Sequence, residues 1–154
     1  MKSTLAIVLV LIATVAFAGS NDPWVDMKGC PICTNVSSEE GLMENMIWEH
    51  HLTATGAMTV STIKPEFQPQ FAQAKVRMKE LMGKVVAGEE IQVCGYCSSI
   101  ASLLKGGAKA ENIVTEASDI MLISSTDEAT IAKIRAHAQK TIDFLEATSG
   151  GHNH

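Results

Sequence analysis

Apolar residues in this chain change their period from segment to segment. Phe67, Phe71, Ala74, Met78, Leu81 and Val85 recur at alternating steps of four and three, which predicts an amphipathic helix with one apolar stripe. Pro65 and Pro69 are tolerated at its start, where the first N–H groups have no helical partner. A second long helix is predicted through Ile131, Ile134, Ala138, Ile142 and Leu145, with Ser125-Thr126-Asp127-Glu128 resembling a capping box before it. Shorter helices are predicted over Glu39 to Glu49 and Ser98 to Lys105, the latter stopped by Gly106-Gly107. Extended pieces are expected at Trp24 to Met27 and Glu90 to Val93. Hairpins are expected at His50 to Ala54 with Met58 to Ser61, and at Ile113 to Glu116 with Ile120 to Ile123, turning near Thr55-Gly56 and Ser118-Asp119.

Read in order, strand, helix, two strands and helix occur twice. At an offset of 64, Cys30 and Cys33 fall on Cys94 and Cys97, Ser61-Thr62 on Ser125-Thr126, and Ala72, Ala74 and Leu81 on Ala136, Ala138 and Leu145. This predicts an α+β fold of two duplicated halves sharing one core, residues 19–86 and 87–147, with Gly83 and Gly88 about the link and a disordered His-containing tail over 148–154. The element order resembles the ferredoxin-like sandwich of small heavy-metal-associated domains, which carry a Cys-x-x-Cys after the first strand. Their motif is Gly-Met-x-Cys-x-x-Cys; here Gly95 lies inside the pair, no Met precedes it in that way, and no closing strand is evident.

The amino terminus adds a compartment. Lys2 precedes the apolar run Leu5 to Ile12, and Ala16-Phe17-Ala18 is a small-x-small site, so residues 1–18 read as a signal peptide cleaved after Ala18. The run is short of the ~20 apolar residues of a spanning helix. The expectation is an exported, soluble, periplasmic or extracellular chain with no membrane span after cleavage. The leader carries Lys2 and no acid, so the full chain's 12 basic residues become 11 against 17 acidic, and its charge of −5 becomes −6. That balance argues against nucleic acid as a partner.

The only four cysteines are two Cys-x-x-Cys pairs, Cys30-Pro31-Ile32-Cys33 and Cys94-Gly95-Tyr96-Cys97. Three chemistries use such pairs. Brought together, four thiolates make a tetrahedral site for zinc, and two or three of them suit copper(I). Alternatively the pairs cycle as thiol–disulfide redox centres with a partner protein, since Pro31 and Gly95 beside the first cysteine are features of thioredoxin-like active sites. No run of βαβ units surrounds either motif, so the thioredoxin fold itself is not indicated. The third option is a pair of disulfides stapling a partner-binding domain in an oxidising compartment. Soft-metal carriage or buffering through Cys30, Cys33, Cys94 and Cys97 is the leading reading.

Other candidate ligands are secondary. His50 and His51 point to opposite faces if extended, so at most one can face the cysteines. His137 sits near the apolar stripe of the second long helix, where a satisfied core histidine is expected. Met43 and Met46, one turn apart near Trp48, are the methionines that could supply soft thioether sulfur; the others read as core filler. His152 and His154 read as part of a polar tail. The carboxylates form no acid–base pair, and no Ser-His-Asp order, phosphate loop or His-Glu-x-x-His motif occurs, which leaves hydrolase and nucleotide-dependent activity unsupported.

Overall fold

Met46, Trp48 and His50 are more buried than Ile47, Glu49 and His51 between them, a period of two that makes this segment a strand rather than a helix. The computed structural model describes residues 23–148, with strands β1 (Met46–Thr53), β2 (Gly56–Ile63), β3 (Lys109–Val114) and β4 (Ser118–Ser124). Its helices are α1 (Thr34–Ser37), α2 (Gln68–Ala87), α3 (Gly95–Lys105) and α4 (Glu128–Thr148), with 3-10 turns at Met43–Asn45 and Pro65–Phe67. The proposed leader, His152 and His154 lie outside the described residues.

The helix expected over Glu39 to Glu49 is therefore corrected. Gly41 takes φ +74, which ends helical propagation, and Leu42 is fully buried immediately after it. The expected opening strands also fail: Trp24 to Met27 is bend and turn, and Glu90 to Val93 is irregular. Both segments are spent on packing around the cysteines rather than on a sheet edge. Gly83 falls inside α2, and the link begins at Gly88, whose φ of +98 lets the N–H of Glu89 bond Lys84 O at 3.0 Å as a left-handed helix stop. The cap of α4 is Asp127, which accepts the Thr130 N–H at 2.8 Å, in place of the box expected from Ser125.

One antiparallel sheet has the order β1-β2-β4-β3. Each hairpin pairs internally, and β2 pairs β4 at the centre, with Met58 opposite Leu122. After each cysteine pair the order helix, strand, strand, helix recurs. The register of 64 does not extend through the hairpins, since β2 begins at Gly56 and β4 at Ser118, 62 positions on. Ser61-Thr62 lie within β2, whereas Ser125-Thr126 follow β4.

The helices form a layer on one face of the sheet. The main core joins both cysteine pairs to Ala57, Val85, Tyr96, Ile100, Leu103, Ile123, Ile134 and Ala138. A smaller cluster of Val36, Leu42, Ile63 and Ala74 is closed by Phe67 and Phe71 from the α2 stripe. Gly56 is required where the central strands meet, because a Cβ there would stand 2.1 Å from Ile123 O. Ile134 has no exposed surface. Replacing it with Asp buries an unpaired charge, and urea unfolding is expected to show a loss on the order of 3 kcal/mol or more; wild-type stability in Ile134→Asp would mean α4 packs by a different face.

Candidate metal centre

The first cysteine pair is shaped by the turn before it. Asp26 Oδ1 accepts the backbone N–H groups of Lys28 at 3.0 Å and Gly29 at 2.7 Å, and Asp26 O accepts that of Cys30 at 3.3 Å. A Cβ on Gly29 would meet Asp26 Oδ2 at 2.4 Å, so a side chain there would force the Asp26 carboxylate to shift. Cys30 O then accepts the Thr34 N–H at 3.0 Å, and Asn35 Nδ2 donates to Pro31 O at 2.7 Å. Arg77 on α2 holds the outside of the loop, donating to Asn35 Oδ1 at 3.0 Å and pairing with Glu39.

The second pair opens α3. Cys94 is extended at the helix start, so its sulfur sits beside the helix N-terminus. The orphan N–H groups of Gly95 and Tyr96 donate to Pro23 O at 3.2 Å and Trp24 O at 2.7 Å. The chain just ahead of the first pair thereby caps the helix that carries the second. Gly95 permits the approach, since a Cβ there would already be 3.0 Å from the Trp24 ring. The Trp24 indole N–H reaches α4, donating to Thr141 Oγ1 at 3.2 Å.

This docking gathers all four sulfurs. The Sγ atoms of Cys30, Cys33, Cys94 and Cys97 lie within 4.8 Å of one another. Across the two motifs, Cys33 Sγ is 3.7 Å from Cys94 Sγ and 3.6 Å from Cys97 Sγ. A tetrahedron with metal–sulfur bonds of ~2.3 Å has edges of about 3.8 Å, so the donor set fits one metal ion in chemistry and spacing. All four are free thiols and between 2% and 7% exposed.

The thiols tune one another. Cys30 is held below the ordinary thiol range by hydrogen bonds from Cys33, Cys94 and Cys97. Cys94 is pushed up by Cys30 but drawn down further by Cys33, Cys97 and the Cys97 backbone N–H, to about 6. Cys33 and Cys97 are raised, Cys30 being the first cause in each case. Within the cluster, Cys30 and Cys94 are thus drawn toward thiolate while Cys33 and Cys97 are drawn toward the neutral thiol.

No other His, Asp or Glu joins the four sulfurs among the described residues. His51 and Met43 are exposed, and Met46 packs in the smaller cluster with Phe67 and Phe71. His50 and His51 do take opposite faces, with His50 buried on the helix side. What the sequence reading missed is an aromatic wall. Trp24, Trp48, His50, Tyr96 and His137 contact one another with ring centroids 4.7–6.3 Å apart. The chain's only tyrosine and both tryptophans are spent here, and Tyr96 sits inside the second cysteine pair. An aromatic between two cysteines was the available signal.

No family model matches the chain, and no curated protein or solved structure shows significant similarity to it. The site stands on its geometry.

Burial draws His50 down to about 4, with His137 and His51 adding charge repulsion. Burial, then Lys140, draws His137 to about 4. Nδ1 of His137 is 2.9 Å from Ser99 Oγ, and Nδ1 of His50 is 3.1 Å from Thr59 Oγ1. Between an ordinary value of 6.5 and about 4, the unfolded chain binds protons that the folded chain refuses. Stability from these histidines is therefore complete above pH 6.5 and falls as pH drops toward 4, each contributing on the order of 2 kcal/mol after solvent screening. Melting curves of wild type and His137→Gln across this window should diverge, the variant losing about half of the decline. Parallel curves would mean that folding does not shift His137.

Proposed function

We propose that this is an exported soft-metal-binding protein in which Cys30, Cys33, Cys94 and Cys97 hold a single ion, for carriage or buffering rather than catalysis. The observation that carries this is the convergence of four buried thiols within 4.8 Å. Zinc is the occupant best served by four thiolates in tetrahedral spacing, and copper(I), which takes two or three, is second. The compartment rests on the sequence of residues 1–18, a charged start, an apolar run and a small-residue cleavage site. Among the described residues no helix is long and apolar enough to cross a membrane. The repeat of helix, strand, strand, helix after each cysteine pair supports descent of the two halves from one duplicated unit.

Burial favours metal over thiol–disulfide turnover. An attacking sulfur must reach its disulfide substrate, and none of these four is more than 7% exposed. A helix N-terminus beside Cys94 stabilises thiolate, which serves a metal ligand equally well.

Titration of the fully reduced protein under anaerobic conditions, with zinc(II) and copper(I) against a competing chelator, tests the reading. Affinity tighter than about 1 μM is expected, and Cys30→Ser or Cys94→Ser should each lower it at least a hundredfold. Weaker binding of both ions would sink the proposal. Neutral thiols, Cys33 and Cys97 among them, must release protons to bind, so affinity should fall at least tenfold for each unit of acidification near neutrality. Binding that ignores pH would place the ion on other ligands.

A further inference from the structure

The sheet has a second face that the helix layer leaves uncovered. Strand alternation and register put Ile47, Glu49 and His51 of β1 on it, with Met58, Val60 and Thr62 of β2. Ile120 and Leu122 of β4 and Glu111 and Ile113 of β3 complete it. Neither core cluster includes Met58, Val60, Ile120 or Leu122. These four lie at the centre of the face and are only half-buried, by their neighbours in the sheet. At its rims Ile47 is 63% and Ile113 52% exposed. The opposite face carries Trp48, His50, Thr59, Met121 and Ile123 into the core.

We propose that this face is the interface of a homodimer in which two copies stack sheet on sheet. Residues 19–22 are Gly-Ser-Asn-Asp and residues 149–154 are Ser-Gly-Gly-His-Asn-His, with no large apolar side chain between them. The described residues begin at Pro23, which caps α3, and finish at Thr148, which ends α4, both in the helix layer. The apolar residues 1–18 form the segment whose sequence marks it for removal.

The face also matches itself. Turning a second copy about an axis parallel to the strands, as in aligned sheet packing, lays β1 over the partner's β3 and β2 over the partner's β4. The rows of the sheet stay level. Met58 then meets the partner's Leu122, Val60 meets the partner's Ile120, and His51 meets the partner's Glu111. The apolar centre is thus opposed to apolar and the rim base His51 to a rim acid, while in the next row Glu49 meets the edge of the partner's Ile113. Four strands spaced ~4.8 Å apart and about 20 Å long give a face of roughly 400 Å² per copy. The pair would bury about 800 Å² plus its rims, below the roughly 1,200 Å² of stable specific complexes and in the range of weak, transient ones, so the dimer should dissociate on dilution.

Sedimentation velocity on the metal-loaded protein, expressed from the whole sequence and with its processing established by mass, tests this from about 1 μM to 1 mM. A concentration-dependent dimer is expected. Val60→Lys and the rim substitution Ile113→Lys should each raise the dimer dissociation constant at least tenfold. Their metal affinity and melting should match wild type; Ile113→Lys, at an exposed position, keeps the test open should Val60→Lys not fold. Val76→Lys, on the 59% exposed outer side of α2, should leave the dimer intact. A monomer at every concentration overturns the proposal, as does a dimer broken by Val76→Lys but not by the sheet substitutions. Retention of residues 1–18 in a monomer would make the leader the occupant. Co-sedimentation of the monomer with anionic lipid vesicles, abolished by Val60→Lys, would make it a membrane.

Discussion

Everything in the helix layer depends on the backbone of Pro23 and Trp24 capping α3. Two carbonyls satisfy the two N–H groups that open that helix. The same contact fixes Asp26, Gly29 and Cys30 a few residues on, and so sets the first sulfur pair against the second. Trp24 then ties α4 to this junction through Thr141. A loop, two helices and four thiols are thereby brought to one point by hydrogen bonds that the unfolded chain would make to water.

The surroundings of that point suit a buried thiolate cluster. Tyr96, Trp24 and Trp48 pack in the same core as the four cysteines, and the histidines touching these rings are drawn down by burial. Neutral walls leave the sulfurs as the local negative charges, and low dielectric strengthens their hold on a cation. Donating to Cys30 stabilises the neutral thiol of Cys33 and Cys97, and repulsion between thiolates adds to it in the absence of an ion. An ion that displaces those protons would replace weak thiol contacts by four metal–sulfur bonds, coupling metal binding to the stability of the junction.

The two faces of the sheet divide the molecule's labour. One face carries Trp48, His50, Thr59 and Ile123 toward the cysteines and helices. The other carries Met58, Val60, Ile120 and Leu122 outward with nothing from the described residues packed on them. A one-sided two-layer fold buries the four thiols on the helix side while leaving an apolar surface on the other side of the sheet. Association through that surface would not obstruct the metal centre.

Sequence periodicity determined the two long helices, because Phe71, Ala74, Met78 and Ile134, Ala138 repeat at the helical step over many turns. It also located both hairpins to within a few residues, and α3 between the second cysteine pair and its paired glycines. It failed over Glu39 to Glu49, where a helical spacing of Leu42, Met43 and Met46 competed with the alternation of Trp48 and His50. The backbone of Gly41 and the pairing of β1 with β2 decided that contest. The cysteine motifs declared a shared chemistry, but whether four sulfurs meet is a matter of contacts across 61 and 64 positions. Nothing in local pattern reveals that Trp24 caps α3, or that Trp48, Tyr96 and His137 from three elements line one wall. Local pattern reports which face of an element is apolar; only tertiary packing decides which apolar faces find each other, and one face of this sheet finds none among the described residues.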